Sequence, residues 1–333
     1  MQFKDIIGQK QIKDHLQGAL RDKKVSHAYL LNGEAKSGKM MMTQAFVQAL
    51  FCENGIDEAC GECPACKKVE HKNHPDFIYV THEKPNTISV KEIREQLVED
   101  LEIRPYSATH KVYVIEEAEK MSREAQNALL KSLEEPPEYG VILLLTNNAS
   151  SLLSTIRSRC VTLNLRPVEE RDAVRKILIK EYQMPEYEAE DILNFAQGNV
   201  GKAIALATGE EYRQMMDDVL ALAGRIHDFD QARIREKAHD LAEANRKGGL
   251  DLKEYFDLLV LWYRDVLLYK ATSNPEQIYF KNRIREIKRQ SARGRYSDLK
   301  EVIDSIDRTG KLLRSNIDAE LSLTMLMQAM KEI

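Results

Sequence analysis

The sequence of 333 residues lacks any run approaching the ~18 continuous apolar residues that a membrane-spanning helix needs. Its N-terminal stretch MQFKDIIGQKQIKDHL has no apolar signal-peptide core. It also lacks a strong charge imbalance, since the net charge is −4. No overall attraction therefore draws it to nucleic acid, and any DNA contact would be local. These absences predict a cytoplasmic protein without a membrane segment.

Proline is almost absent beyond residue 210, and the sequence has no internal repeat and no low-complexity segment. The stretch 210–333 is rich in Leu, Ala, Arg and Glu, which predicts long helices. Residues 167–209 are also predicted to be helical and are too few to bury a large core, so we interpret them as a lid packed on the preceding domain. We therefore predict three domains, 1–166, 167–209 and 210–333.

The first of these domains alternates short apolar runs with amphipathic helical stretches. Continuous apolar runs separated by helices favour a parallel sheet covered on both faces. Helix boundaries are also marked, by the capping-box spacing of Ser89 and Glu92 and by the pair Pro136-Pro137. The predicted strands are AYLLN (28–32), FIYV (77–80), KVYVIE (111–116), VILLLT (141–146) and CVTLNL (160–165).

Cysteine is scarce except in one short segment, CENGIDEACGECPAC, which holds four of the five. The spacing C-x7-C-x2-C-x2-C predicts four thiolates around one tetrahedral ion, a closed structural zinc site. A disulfide pair is the alternative, but a cytoplasmic compartment disfavours it. His71 and His74 lie just downstream, and a complete set of four cysteines leaves them no role as ligands. The predicted ligands are Cys52, Cys60, Cys63 and Cys66.

The segment GEAKSGKM follows the first predicted strand and is typical of a phosphate-binding loop, with Gly33, Gly38 and Lys39 in register. Such a loop offers backbone N–H groups, a helix N-terminus and a lysine charge to phosphate. Met40 stands where a Ser or Thr hydroxyl normally holds Mg²⁺, and a thioether is a poor ligand for that hard cation. Thr43 lies three residues too late to replace it. An ordinary glycine-containing turn is the alternative interpretation.

A second expected part of a nucleotide site is an apolar strand that ends in acidic residues. The stretch VYVIEEAE supplies it, with Glu116 and Glu117 at the carboxyl end of the strand, where ligands bind in open α/β sheets. Loop and acidic strand together predict a nucleotide-type fold with an impaired magnesium site. Binding of ATP or ADP stays open, because Lys39 and the loop backbone are retained.

Several motifs occur in an order that resembles bacterial clamp-loader subunits of the AAA+ family. They are DIIGQKQIKDHLQGAL, SHAYLLNG, the four-cysteine insert, HPDFIYV, KVYVIEEAEKMSREAQNALLKSLEEPP, LLTNN and TIRSRC. The resemblance covers the first two domains strongly, and in the last it rests on length and on LWYRDVLLYK. It implies an α/β AAA+ fold with a RecA-like parallel sheet, a zinc module at 52–66, a helical lid and an all-helical collar domain.

The same resemblance implies roles for individual residues. Glu117 would be the base that activates water, here vestigial, and Asn147 the sensor that orients it. The ATP-hydrolysing relatives carry Thr after the loop lysine, Asp before the catalytic Glu, and an arginine in the lid. This sequence has Met40, Glu116 and Gly201 at those places. Phosphoryl transfer depends on positioning and charge neutralisation, so we expect no independent ATPase activity.

The tripeptide Ser158-Arg159-Cys160 resembles the arginine-finger motif of the family. Arg159 would act in trans on the γ-phosphate of a neighbouring subunit's ATP, an effect worth roughly 10³–10⁵ in rate. The alternative is that Arg157 and Arg159 are solvated surface arginines. The resemblance further implies loading of a sliding clamp on primer-template DNA, with the gamma/tau motor subunits and the delta subunit of DNA polymerase III as partners.

The helical tail contains the basic run KNRIREIKRQSARGR, from Lys281 to Arg295. It could follow DNA phosphates, but no aromatic residues interleave it, so we favour a solvated helix face. Trp262 is predicted to lie in the core. By resemblance, the tail is an oligomerisation domain.

Three functions therefore compete. The first is a largely non-hydrolysing scaffold that completes a neighbour's ATP site, and the second is an ATP-hydrolysing motor of gamma/tau type that tolerates Met40. The third is a zinc-dependent nucleic-acid-binding module. The cysteine segment carries acidic residues and neither Lys nor Arg, which argues against the third.

Overall fold

The computed structural model describes residues 1–314 and 317–332. The chain forms two compact units. Unit 1 comprises Met1–Gln183 with Ala196–Ile204, and unit 2 comprises Met184–Phe195 with Ala205–Ile333. The segment predicted as a lid contributes to both units, and the three-domain division stays a prediction. Within the ranges described, no helix is long and apolar enough to cross a bilayer.

Unit 1 is built on one parallel sheet of five strands in the order β2-β3-β4-β1-β5. All five predicted strands are confirmed, although β3 ends at Ile115 and leaves Glu116 outside. The register aligns Tyr29 with both Leu143 and Val161. The strands are β1 (Ala28–Asn32), β2 (Phe77–Val80), β3 (Lys111–Ile115), β4 (Gly140–Thr146) and β5 (Val161–Asn164).

Both faces of this sheet are buried under helices. Side chains alternate along a strand, so Tyr29 and Leu31 of β1 pack in one apolar cluster and Ala28 and Leu30 in the other. The continuous apolar strands of the sequence follow from this double burial. The helices of unit 1 before residue 167 are α1 (Lys10–Arg21), α2 (Lys39–Phe51), α3 (Pro64–Glu70), α4 (Val90–Ile93), α5 (Arg123–Glu134) and α6 (Ser154–Arg157).

Two of these helices begin or end as the sequence indicates. Ser89 and Glu92 form a reciprocal capping box at the start of α4, and α5 ends two residues before Pro136. The predicted lid segment is helical, as expected from its pattern. It contains α7 (Arg171–Lys180), α8 (Glu186–Ala196) and α9 (Val200–Thr208).

The rest of unit 2 is entirely helical among the residues described. Trp262 is fully buried in α12 and donates a 2.7 Å hydrogen bond from Nε1 to Oε1 of Gln290. Its predicted place in the core is confirmed. The helices are α10 (Glu210–Arg225), α11 (Gln231–Arg246), α12 (Leu252–Thr272), α13 (Ile284–Arg293), α14 (Tyr296–Arg314) and α15 (Ala319–Lys331).

Candidate functional site

The segment GEAKSGKM forms a tight loop between β1 and α2. Gly38 caps α2 in the left-handed region at φ 93°, a conformation that glycine adopts without a steric penalty. A Cβ on Gly33 would lie 2.8 Å from Ser37 Oγ and 3.0 Å from Leu165 Cβ. Both glycines are thus required by the loop's shape, which favours a phosphate-type loop over a chance match.

Lys39 is held by oxygens of its own unit. Its Nζ donates hydrogen bonds of 2.7 Å to the carbonyls of Gly33 and Glu34 and to Oδ1 of Asn147. The structure therefore brings together the loop lysine and the predicted sensor. This contact is possible because β1 and β4 are neighbours in the sheet: β1 leads into the loop, and β4 ends at Thr146, one residue before Asn147.

Glu119 supports Asn147, the predicted sensor, and was not found by sequence reasoning. Its Oε2 accepts a 2.7 Å hydrogen bond from Thr146 Oγ1, and both its carboxylate oxygens lie 3.3 Å from the backbone N of Asn147. The sequence offered only one signal, a third acidic residue after β3. Glu119 fixes the backbone from which Asn147 reaches Lys39.

The two predicted acids of the nucleotide site lie exposed after β3. Glu117 has a left-handed backbone (φ 49°) and an ion pair of 2.6 Å with Lys120 Nζ. Lys120 also donates to the carbonyl of Pro85 at 2.7 Å. A base that activates water needs a free lone pair, and this ion pair competes for it. The roles of Glu116 and Glu117 stay predictions.

Met40 and Thr43 supply no oxygen to a metal. Met40 is half-buried and packs against the apolar cluster on one face of the sheet. Thr43 is buried in α2. The side chain after the loop lysine therefore packs against the core, whereas a magnesium ligand must face the phosphate.

The start of α9 closes over the phosphate loop. Asn199 donates from Nδ2 to the carbonyl of Ala35 at 2.9 Å and accepts from the backbone N of Lys202 at 3.0 Å. A Cβ on Gly201 would lie only 2.2 Å from the carbonyl oxygen of Lys36. The residue at the predicted lid-arginine position is thus a packing glycine, and Asn199, which the sequence did not single out, joins α9 to the loop.

A small cavity of about 20 Å³ lies between the loop and the chain that follows β5. Its volume suits a single water and is far below the hundreds of Å³ of a small-molecule site. Gln9 closes one side by exchanging two hydrogen bonds with the backbone of Arg166. The other lining residues include Glu34, Ser37, Leu165, Val168, Gly198 and Asn199.

Arg159 lies outside this loop network, after α6. Its Nη2 is 2.7 Å from Oε1 of Glu134, the last residue of α5, and its Nη1 donates a 2.9 Å hydrogen bond to the carbonyl of Thr155. Cys160, the residue after Arg159, is half-buried and packs against the apolar cluster that contains Ala28 and Leu30. Burial raises the pKa of its thiol to about 12. Arg157 is exposed. The motif thus presents one anchored and one solvated arginine.

The four predicted zinc ligands converge. Their Sγ atoms all lie within 4.8 Å of one another, and those of Cys60 and Cys66 are 3.9 Å apart. Tetrahedral Zn–S bonds of about 2.3 Å require S–S separations of about 3.8 Å. None of the five cysteines forms a disulfide. The cluster is therefore compatible with structural zinc.

The local backbone conformation brings the cysteines together and directs N–H groups at their sulfur atoms. Cys63 caps α3 with Pro64 in the first turn, and Gly61 takes a positive φ of 77°. Backbone N–H groups point at sulfur, from Cys60 to Cys52 Sγ at 3.2 Å and from Cys63 to Cys60 Sγ at 3.4 Å. Such donors stabilise thiolates, and the backbone N–H groups of Glu62 and Cys63 lower the pKa of Cys60 to about 6.

Neither nearby histidine joins the cysteines. His74 is buried, its ring centroid lies 4.5 Å from that of Phe51, and its Nδ1 accepts a hydrogen bond from the backbone N of Asp76. His71 Nδ1 lies 2.7 Å from the carbonyl of Lys67. The module is also attached to the N-terminal segment, since Gln2 donates from Nε2 to the carbonyl of Ala59 at 2.6 Å.

Several positive charges of the basic run (Lys281 to Arg295) are paired with acidic side chains. Four of its cations form ion pairs within unit 2, which favours the solvated-face interpretation over a phosphate track. The pairs are Lys281–Glu276, Arg283–Glu286, Arg289–Asp228 and Arg295–Asp298.

The sheet order, the loop between β1 and α2 and the cysteine cluster define an AAA+ protein with a zinc-type module. Comparison with known proteins shows which family it resembles. The family described as "DNA polymerase III, delta subunit" matches residues 8–169. The delta' subunit of DNA polymerase III from Bacillus subtilis is 28% identical over 94% of this chain and 93% of its own length.

The tau subunit of DNA polymerase III from Bacillus subtilis is 31% identical over 92% of this chain, which spans 57% of that relative's length. Among solved structures, a DNA polymerase III gamma subunit-related protein from Thermotoga maritima matches with a TM-score of 0.47 and 20% identity, over 96% of this chain and 99% of that one. The chain is thus similar to clamp-loader subunits of DNA polymerase III.

Proposed function

We propose that the chain is a delta'-type clamp-loader subunit, an AAA+ scaffold that does not hydrolyse ATP and that supplies Arg159 to the ATP site of a neighbouring subunit. Its partners would be the gamma/tau motor subunits and the delta subunit. Together they would load a sliding clamp on primer-template DNA. The delta' relative, which the chain matches along nearly its whole length, supports this choice.

The observation that carries the proposal is the pair of substitutions at the phosphate loop. Met40 packs against the core where a magnesium ligand would stand, and Gly201 packs on the Lys36 carbonyl where the lid arginine would stand. The motor relatives need both groups to neutralise charge on the transferring phosphoryl group. Both residues here instead serve packing.

The first test is ATP binding and hydrolysis by the purified chain with Mg²⁺. We expect no turnover, and no gain of turnover on replacing Met40 by Thr. Lys39→Ala is the control, because it removes the three hydrogen bonds to Gly33, Glu34 and Asn147. Steady turnover that disappears in Lys39→Ala would contradict the proposal.

The second test addresses the trans role of Arg159. In a complex reconstituted with gamma/tau-type and delta subunits, Arg159→Ala is expected to remove the DNA-stimulated ATP turnover of the adjacent site, by roughly 10³-fold in a single-turnover measurement. Arg157→Ala is the matched control, because that arginine is exposed and only two residues away. Unchanged turnover and clamp loading in Arg159→Ala would rule out the trans role.

A motor of gamma/tau type remains the second candidate, and two observations favour it. Lys39 and Asn147 are in contact, and the tau relative is 31% identical. Under this hypothesis a water would replace the missing hydroxyl on Mg²⁺, and the chain alone would hydrolyse ATP.

We further propose that the four cysteines bind one structural Zn²⁺. The chemistry of the donors supports zinc, because four thiolates leave no open coordination position for a substrate. The zinc would stabilise the turn between α2 and α3, next to the N-terminal segment.

A further inference from the structure

The resting position of Arg159 is set by two acceptors of its own unit. Glu134 Oε1 lies 2.7 Å from Nη2, and the carbonyl of Thr155 lies 2.9 Å from Nη1. The side chain of Arg159 is 34% exposed and that of Glu134 is 48% exposed. Both outer nitrogens of the guanidinium are therefore engaged, although the pair remains in contact with water.

This geometry folds the arginine back over its own chain. Thr155 precedes Arg159 by one helical turn, so a guanidinium bonded to its carbonyl lies along that turn rather than extending away from the surface. Glu134 adds a carboxylate at the C-terminal end of α5, where the helix dipole also favours a cation. The two contacts stabilise the folded-back conformation together.

A carboxylate and a phosphate compete for the same donors. Both accept hydrogen bonds from the planar fork of a guanidinium, so Arg159 cannot give its outer N–H groups fully to a phosphate while it keeps Glu134. Exposed ion pairs are weak, and the stronger charge of a nucleotide phosphate can displace such a partner at modest cost. Glu134 therefore acts as a reversible competitor.

We infer that Glu134 is a positioning residue that holds Arg159 away from a neighbouring subunit's nucleotide until a phosphate displaces the carboxylate. This inference rests on the proposed trans role of Arg159 and adds its regulation. Without the Glu134 carboxylate, Arg159 is free to contact the neighbouring phosphate in every turnover. The expected gain is about 1.5- to 5-fold in DNA-stimulated ATP turnover, matching the strength of exposed ion pairs.

The experiment compares Glu134→Gln with Glu135→Gln in the complex reconstituted with gamma/tau-type and delta subunits. Glu135 is an exposed acid one residue further on, so the two variants change net charge equally. Turnover of Glu134→Gln should exceed that of Glu135→Gln at low salt. The ratio should approach one as salt rises, because exposed charges are screened. Glu134→Asp should restore part of the wild-type behaviour.

A second measurement needs no partner. Side-chain ¹⁵N NMR of the full chain should find Arg159 Nη rotation slow in the wild type and faster in Glu134→Gln, with the signal identified by its loss in Arg159→Lys. Equal or lower turnover in Glu134→Gln, or unchanged Nη rotation, would overturn the inference. A complex in which Arg159→Ala has no effect would instead refute the proposed function itself.

Discussion

The carbonyl oxygen of Lys36 would lie 2.2 Å from a Cβ atom on Gly201. The second residue of α9 therefore has no room for a side chain while the phosphate loop keeps its position. We expect Gly201→Ala to destabilise the chain by about 1–3 kcal/mol through overpacking, although alanine is the better helix former. Urea unfolding measures this change.

A matched glycine separates packing from helix propensity. Gly18 lies within α1, and a Cβ there would meet no atom within 4 Å. Gly18→Ala should therefore stabilise the chain by about 0.5–1 kcal/mol. If Gly201→Ala were also stabilising, the close contact between α9 and the loop would be refuted. The combined variant Met40→Thr with Gly201→Arg should gain no ATP turnover, because the arginine would displace the loop that is predicted to bind phosphate.

Removing the proposed zinc should destabilise unit 1. We expect one zinc per chain by elemental analysis, and a melting temperature that rises with free zinc. Binding at a thousandfold excess over Kd contributes about 4 kcal/mol. Cys66→Ser should abolish the bound zinc, because Cys66 is buried among the other ligands. Cys160→Ser is the control, since this cysteine lies outside the cluster and should leave the zinc content at one.

One result would contradict the proposal of structural zinc. Full stability in the presence of a strong chelator, together with a zinc content near zero in the wild type, would mean that the thiols act without a metal. Attachment of Gln2 to the carbonyl of Ala59 predicts that the N-terminal segment loosens when zinc leaves. Hydrogen exchange at Phe3, whose backbone N donates to Glu58, reports on this loosening.

Strand pattern and motif spacing were sufficient to predict the sheet, the loop and the cysteine cluster, because each depends on local sequence or on strand order. The contacts of Asn199 with Ala35 and of Glu134 with Arg159 were not predictable. Each joins a side chain to a residue distant in sequence, and no periodicity marks them. The capping-box spacing at Ser89 marks where a helix begins but not how it winds, since the apolar spacing of Ile93, Leu97 and Leu101 suits both an α-helix and the π-helical turn at Arg94–Val98.

The exposed face of α15 is a candidate contact for sister subunits. Leu321 and Met325 are 58% and 60% exposed and lie one helical turn apart on the same side. Under the proposed function, Leu321→Glu combined with Met325→Glu should weaken assembly with gamma/tau-type and delta subunits at least tenfold, about 1.4 kcal/mol. Fluorescence anisotropy or sedimentation measures the association.

An exposed apolar residue of unit 1 provides the control for this prediction. Ile56 is 70% exposed, and Ile56→Glu makes the same kind of change far from α15 in sequence. It should leave association unchanged. All three residues are exposed, so neither variant should lower the melting temperature appreciably. Wild-type affinity in the double variant would exclude this face of α15 from the interface.

Asp265 carries a buried charge in α12. One carboxylate oxygen, Oδ2, accepts hydrogen bonds from the backbone N atoms of Tyr279 and Phe280 at 2.7 and 2.8 Å. The other, Oδ1, has no hydrogen-bond partner among the described residues, and Arg264 Nη1 lies 4.0 Å from it. Burial raises the pKa of Asp265 from its ordinary 3.8 to about 6.

A raised carboxyl pKa makes the folded state bind its proton more tightly than the unfolded state. The contribution of Asp265 to stability is therefore largest below pH 4 and is lost as pH rises from about 4 to above 6, by about 3 kcal/mol at most.

Asp265→Asn keeps an acceptor for the two backbone N–H groups and carries no charge. The variant should gain stability relative to the wild type between pH 4 and pH 7.5, measured by urea unfolding at each pH. Asp304→Asn, an exposed change of the same kind in α14, should track the wild type throughout. A constant difference between Asp265→Asn and the wild type across this range would show that the carboxylate stays ionised in the fold.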